Sequence, residues 1–431
     1  MLSVPEPSRH PIRLVVTDEL RRSRLTVVFR LLLALPHLVW VTLFGIAASA
    51  VGFVAWLAVL IEGQVPTSIH DFLVRYVRYT THVAAYVVLA AGPYPGFGGT
   101  RAYPVDVEVD PPERQRRLGG LVRLVLVVPA SLLAWSLGGS AGLGLWSGVA
   151  ALALFGGLTG TIAFLGWFAC LARGRMPRGM RDAAAYGCGY AAQVTAYALL
   201  VTGRYPDSTP DRMAPRAELP DHPVAVRVDD DLCRPRLLVL FRFPLVIPHL
   251  FWLTLWAAPA AIALVCAWLA ALVLGRVPRF LHRFLAAFLR ATAHLSAFAY
   301  VVGRPFPGFV GREGSYPLDF TIAPPEPQRR LGVLVRPVLA IPALLLNQAY
   351  GWVLLVVAVL GWVAALVTGR IPAGLRDLGV ASIRYQTQAG AYLFLLTPRY
   401  PDSSPVLLGR RQVELAPDGE HPWYPGLEPA A

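Results

Sequence analysis

Four copies of one unit, laid end to end, constrain this chain more than any other feature. His10-Pro11-Ile12-Arg13 returns as His222-Pro223-Val224-Ala225, and Leu35-Pro36-His37 as Ile247-Pro248-His249, both offset by 212 residues. Within each half the motifs recur again. Gly63-Gln64-Val65-Pro66 is matched by Gly174-Arg175-Met176-Pro177, Gly275-Arg276-Val277-Pro278 and Gly369-Arg370-Ile371-Pro372. Tyr94-Pro95 is matched by Tyr205-Pro206, Phe306-Pro307 and Tyr400-Pro401. The units run over 1–98, 99–214, 215–310 and 311–409, followed by a polar tail over 410–431.

Each unit reads in the same order. A short alternating stretch, such as Val105, Val107 and Val109 or Leu318, Phe320 and Ile322, predicts a half-buried strand. An apolar run follows, Val27 to Ile61 in the first unit. As one helix it is roughly 50 Å long, against a hydrocarbon core of about 30 Å. Residues up to Pro36 are therefore expected at the interface, with a break there and the span over His37 to Ile61. Gly-x-x-Pro ends that helix and starts a second, about Ile69 to Ala91. The fold class expected is an all-α polytopic membrane protein with about eight transmembrane helices, two per unit, and short cytoplasmic strands. Unit two carries 18 extra residues near 138–157, where Ser140, Gly144 and Gly148 offer close packing or a docking face.

Composition agrees with a membrane setting. Hydrophobic residues make up 55% of the chain and charged residues 15%. A soluble domain has about 25% charged residues. All 39 basic residues are Arg. Without Lys there is no Walker A loop and no Schiff-base amine. The net charge of +13 sits beside apolar runs, which points to anionic headgroups and away from nucleic acid. The four Cys form no CxxC pair and read as small packing residues. The first 24 residues are polar, so membrane entry is expected to rest on the first apolar run. Linkers and termini hold 26 Arg and the hairpins 13, which predicts cytoplasmic termini. Arg without Lys, with abundant Ala, Gly and Pro, suggests a GC-rich bacterial genome and hence a bacterial inner membrane.

The order Arg-Leu-x-Val-x-Phe-Arg, Pro-His-Leu, Gly-Arg-x-Pro, Ala-Tyr and Arg-Tyr-Pro resembles the DUF4389 family. The resemblance covers nearly the whole chain as repeated copies. It implies a multi-span membrane protein, and it carries no site residues.

The second helix of each unit bears a polar stripe. Its central position alternates His82, Gln193, His294 and Gln388. Arg78, Arg290 and Arg384 lie one turn before, and Tyr86, Tyr197 and Tyr392 one turn after, with Phe298 in unit three. Polar groups in a bilayer face the bundle interior or a water-filled cavity. The stripe is thus either a lining for a lipid or small solute, or a set of hydrogen bonds between repeats. No catalytic residue, metal site or cofactor motif is present. The role expected is a non-enzymatic scaffold or accessory subunit. Its partners are the lipid bilayer and a membrane protein or a second copy, and the alternative is a carrier using the stripe.

Overall fold

The computed structural model describes residues 10–101, 103–138, 157–213 and 222–406. It forms two compact units, Met1–Ser208 and Thr209–Ala431, each holding two repeats. The first contains β1 (Ile12–Val16), α1 (Arg24–Val28), α2 (Arg30–Glu62), α3 (Thr67–Val87), β2 (Val105–Val109), α4 (Arg117–Ser136), α5 (Gly157–Arg173) and α6 (Arg178–Ala198). The second contains α7 (Pro210–Met213), β3 (Val224–Val228), α8 (Arg236–Leu240), α9 (Arg242–Leu274), α10 (Arg279–Ala299), β4 (Leu318–Ile322), α11 (Arg330–Thr368) and α12 (Ala373–Leu393).

Each half has three layers. The two second helices, α3 with α6 or α10 with α12, pack together in the middle. The long apolar helices cover one side. On the other lies a two-stranded antiparallel sheet, β1 with β2 or β3 with β4, in which Leu14 pairs Val107 and Val226 pairs Phe320. In the first half the core joins Ile12 and Val107 of the sheet, Leu73, Val77 and Ala192 of the middle helices, and Ala48 and Ala55 of α2.

The hairpin motif folds as its residues dictate. Gly63, Gly174, Gly275 and Gly369 all take left-handed φ, between 67° and 78°. L-residues other than Gly are disfavoured there, so Gly is the natural helix stop. Pro66, Pro177, Pro278 and Pro372 immediately precede the next helix.

α2 buries a seam of small residues, Ala34, Gly45, Ala48, Gly52, Ala55 and Val59, at spacings that keep one face inward. Its other faces leave Leu31, Leu35, Leu43, Ile46, Phe53 and Ile61 exposed. The helix runs through Pro36, so the expected break there is absent; the interruption lies at Phe29 (φ −91°, ψ 8°).

Among the described residues three helices are long and apolar enough to cross a membrane: Arg30–Glu62, Arg242–Leu274 and Arg330–Thr368. The expectation of eight spans is therefore corrected. α3, α6, α10 and α12 carry Arg, His and Asp, and their side chains are mostly buried between the long helices and the sheet. Protein, not lipid, surrounds them, so they need no membrane-grade hydropathy. The residues between 138 and 157 that set unit two apart, including Ser140, Gly144 and Gly148, lie outside the described residues. Of the cysteines, Cys170 and Cys188 are buried, whereas Cys233 is half-buried and Cys266 exposed.

The two repeats of a half are interlocked. The segment leading into α1 pairs with the hairpin of the other repeat: Arg22 N–H donates to Gly174 O at 2.9 Å and Met176 N–H to Leu20 O at 2.9 Å. Reciprocally, Gln115 N–H donates to Gly63 O at 2.8 Å. The second half repeats this with Arg234 to Gly369 O, Ile371 to Leu232 O and Gln328 to Gly275 O. Each end of a half thus holds one linker and one hairpin. The Arg count assumed that linkers and hairpins lie on opposite sides of the membrane, and this pairing removes that premise.

Candidate functional site

The polar stripe sits at the junction of the middle helices and the sheet. His82 Nε2 lies 2.8 Å from Asp106 Oδ1 in β2, and Arg78 lies 3.1 Å from the same oxygen. Arg78 also donates to Val107 O at 3.2 Å. In the second half His294 Nε2 is 2.9 Å from Asp319 Oδ1, and Arg290 donates to Phe320 O at 3.0 Å and Gly311 O at 3.2 Å. Burial pushes the Asp106 carboxyl up, but bonds from His82 and the Val107 N–H, with Arg78 beside it, hold it below the ordinary carboxylate range. Asp319 is held low in the same way by His294 and the Phe320 and Gly314 N–H groups, against the upward push of burial.

The glutamines do a different job. Gln193 donates to Ile12 O at 3.1 Å and accepts from Asp207 N–H at 2.9 Å. Gln388 donates to Val224 O at 3.2 Å and accepts from Asp402 N–H at 3.0 Å. The His/Gln alternation follows from this. A carboxylate accepts only, so it takes His and Arg donors; a carbonyl and an N–H together need the donor and acceptor of one amide. Arg384 donates to the carbonyls of Val406, at 2.6 Å, and Ser404. The rings of Tyr103 and Tyr316 cover His82 and His294, with centroids 4.6 and 5.0 Å away.

The three tyrosines face the other way, toward the long helices. Arg30 lies over Tyr86, Arg123 over Tyr197, Arg242 over Phe298 and Arg336 over Tyr392, at 4.1, 4.5, 4.5 and 4.6 Å. Each ring also meets the aromatic of the [Tyr/Phe]-Pro motif edge-on, as Tyr86 meets Tyr94 at 5.6 Å. These arginines are buried, and three of them reach carbonyls at the C-terminal end of the second helix, while Arg242 reaches Gly303 O just beyond it. Arg30 donates to Tyr86 O at 2.6 Å, Arg123 to Tyr197 O at 3.0 Å and Arg336 to Tyr392 O at 3.0 Å. A cation at a helix C-terminus is favoured by the dipole and satisfies orphan carbonyls. A second donor completes each cap: Arg22 on Leu89 O, Gln115 on Leu200 O, Arg234 on Val301 O and Gln328 on Leu395 O. All four capped residues have left-handed φ, from 59° to 64°, although none is Gly.

Sequence reasoning places these arginines with headgroup anchors and misses Asp106 and Asp319, as well as Asp18 and Asp230, which pair Arg22 and Arg234 at 2.7 and 2.8 Å. The signal was present: each Arg recurs at a fixed place before a Pro-containing run, and Asp106 and Asp319 recur at equivalent strand positions. What was not legible was the partner of Asp106 and of the ring-stacking Arg30, which lie 24 and 56 residues from His82 and Tyr86.

His37 and His249 pack inside the fold. His37 Nδ1 is 2.7 Å from Tyr79 Oη and its ring stacks on Phe97 at 4.3 Å. His249 Nε2–H donates to Pro307 O at 2.8 Å and its ring stacks on Phe309 at 4.2 Å. An open cleft of about 730 Å³ lies beside the first linker, lined by Thr17, Asp18, Glu19, Arg21, Tyr86 and Tyr94. Among the described residues no group of three or more His, Cys, Asp or Glu is arranged to hold a metal ion.

Residues 24–98 and 330–403 each match the model of a family described as a domain of unknown function, DUF4389. The matches fall on the first and fourth repeats, and they bear out the resemblance and the repetition there. No curated protein and no solved structure matches the chain.

Proposed function

We propose that this protein is a non-enzymatic scaffold or accessory subunit of a bacterial cell membrane, with both termini on the cytoplasmic side, which holds another membrane component. One observation carries the reading. The hydrogen-bonding groups of the stripe go to the sheet and the loops, while the long helices leave a wide apolar surface uncovered. A chain that uses its polar centre to hold itself together, and offers its apolar exterior, suits binding in a membrane better than transport or catalysis. The cytoplasmic side is favoured by exposed Arg at both ends of each half, which matches the anionic inner leaflet.

The carrier reading now has a different location. The cleft beside Asp18 and Arg21 is open and lined by polar and aromatic groups, so an amphipathic small molecule would sit there and not in the stripe.

Extraction of the full chain from its own membrane in polymer nanodiscs, followed by native mass spectrometry, tests the reading. A membrane protein retained at fixed stoichiometry is the expected result. The chain alone with one bound small molecule would overturn it in favour of the carrier.

A further inference from the structure

The direction of the strands fixes how each half meets the membrane. β1 begins where Ile12 O meets Gln193, near the C-terminal end of α6, and continues to Leu20 and Arg22, which pair with the hairpin at the N-terminal end of that helix. β2 begins beside His82, near the C-terminal end of α3, and continues to Gln115 at the hairpin that starts α3. The sheet therefore lies along the second helices, over their middle, and not beyond their ends. Its outward charges are Arg13, Glu108 and Asp110, with Arg227 in the second half.

If the long helices stood upright in a bilayer, this charged two-stranded sheet would lie at the depth of the acyl chains. Charges and open strand edges are costly there. Length argues the same way. Exposed apolar side chains run from Leu31 to Ile61 on α2 and from Leu331 to Val367 on α11. These stretches are roughly 45 and 54 Å long at 1.5 Å per residue, against a hydrocarbon core of about 30 Å. An upright helix would need a tilt of roughly 50°, beyond the usual range of about 0–40°. The middle of α11 also exposes Gln348, where a spanning helix would face the bilayer centre. Finally, both ends of the first half carry exposed Arg: Arg21, Arg24 and Arg175 at one, Arg116 and Arg117 at the other. A spanning protein would concentrate them on one side.

We infer that each half lies along the interface of a single anionic leaflet, its long helices parallel to the membrane plane, their apolar face toward the acyl chains and the sheet in water. Both ends of the long helices then reach the same headgroups, which explains the Arg at each. The inference rests on the membrane reading above, and it replaces spanning with in-plane seating.

Cysteine labelling of the full chain tests it. In a Cys233→Ser, Cys266→Ser background, Glu19→Cys, Glu62→Cys and Glu108→Cys place thiols at the two ends of α2 and on the sheet. A membrane-impermeant maleimide is applied to sealed inside-out and right-side-out vesicles. All three are expected to label from the same face. Labelling of Glu19→Cys and Glu62→Cys from opposite faces would overturn the inference and leave the membrane reading standing. Recovery of the chain in the soluble fraction would overturn both. A second readout guards against local effects: fluorophores at Leu35→Cys, Ile46→Cys and Leu57→Cys should be quenched alike by shallow nitroxide lipids. A central site much deeper than the outer two would contradict in-plane seating.

Discussion

The guanidinium of Arg30 lies 4.1 Å above the ring of Tyr86 and donates to that same residue's carbonyl at 2.6 Å. One side chain thus binds both the face of a second helix and its C-terminus; the ring contact recurs in all four repeats with Phe298 replacing Tyr once, and the bond to the same residue's carbonyl recurs in three, Arg242 donating to Gly303 O instead. The repeat is conserved within the chain because the cap is a unit: the Arg, the ring, the edge-on aromatic and the left-handed residue need one another.

Loss of a capping Arg should be costly. Arg242→Leu removes the stack on Phe298 and the bond to Gly303 O at 3.1 Å. An unsatisfied buried carbonyl costs about 1–3 kcal/mol and the cation–π contact about 1–2 kcal/mol. Denaturation in detergent should show a loss of about 2–5 kcal/mol. Arg242→Lys should recover only part of it, because Lys cannot stack and fork together.

The linker pair Arg22–Asp18 is 2.7 Å apart, with both side chains nearly inaccessible. Asp18→Asn leaves a buried guanidinium without its counter-charge, which costs about 3–5 kcal/mol. Glu108→Gln, at a side chain 60% exposed opposite Arg13, should change stability by less than about 1 kcal/mol. Parallel thermal unfolding of the two variants checks the contrast.

The stripe variants separate a strand clamp from a ligand site. Gln388→Leu leaves Val224 O and Asp402 N–H without their shared partner. Hydrogen exchange should rise at residues 224–228 and 402–406 and stay unchanged in α9. A His82→Ala, His294→Ala double variant should likewise loosen β2 and β4. Unchanged exchange in both strands, with loss of a co-purifying small molecule, would restore the carrier reading.

Acid should weaken the fold in two stages. Burial lowers the pKa of His10, His70, His222 and His282 below the ordinary 6.5. A group with a lowered folded-state pKa stabilises fully above its unfolded value and loses that contribution as pH falls through the folded value. Stability should therefore be flat above about pH 7 and decline below about pH 6.5. A second loss should begin below about pH 4, as Asp106 and Asp319 protonate and release His82 and His294. Chemical denaturation as a function of pH measures both.

Two glycines with similar φ should respond differently to a methyl group. Gly369 has φ +75° and open space around it, so Gly369→Ala meets only the left-handed strain of about 1–2 kcal/mol. At Gly311, φ +60°, the new Cβ would run into Ala287 O and Ala291 N, backbone atoms that cannot swing aside. Gly311→Ala should cost at least about 3 kcal/mol.

Local features were readable in the sequence and non-local ones were not. The left-handed Gly63 and the Pro66 that precedes α3 follow from residue type, as does the alternation of Val105, Val107 and Val109 in β2. The number of helices apolar enough to cross a membrane did not follow, because the repeat pattern cannot tell a polar helix in lipid from one enclosed by protein. α3 is enclosed, so His82 and Arg78 meet Asp106 and not lipid. The interlock of Arg22 with Gly174 joins residues of different repeats, and no pattern within either repeat encodes it.

Polarised infrared spectroscopy of the full chain in aligned anionic bilayers tests the central claim most directly, because the amide I dichroism reports the mean helix axis. In-plane seating predicts an axis closer to the membrane plane than to its normal. A dichroic ratio placing the mean axis nearer the normal would contradict the account and return α2, α9 and α11 to spanning helices.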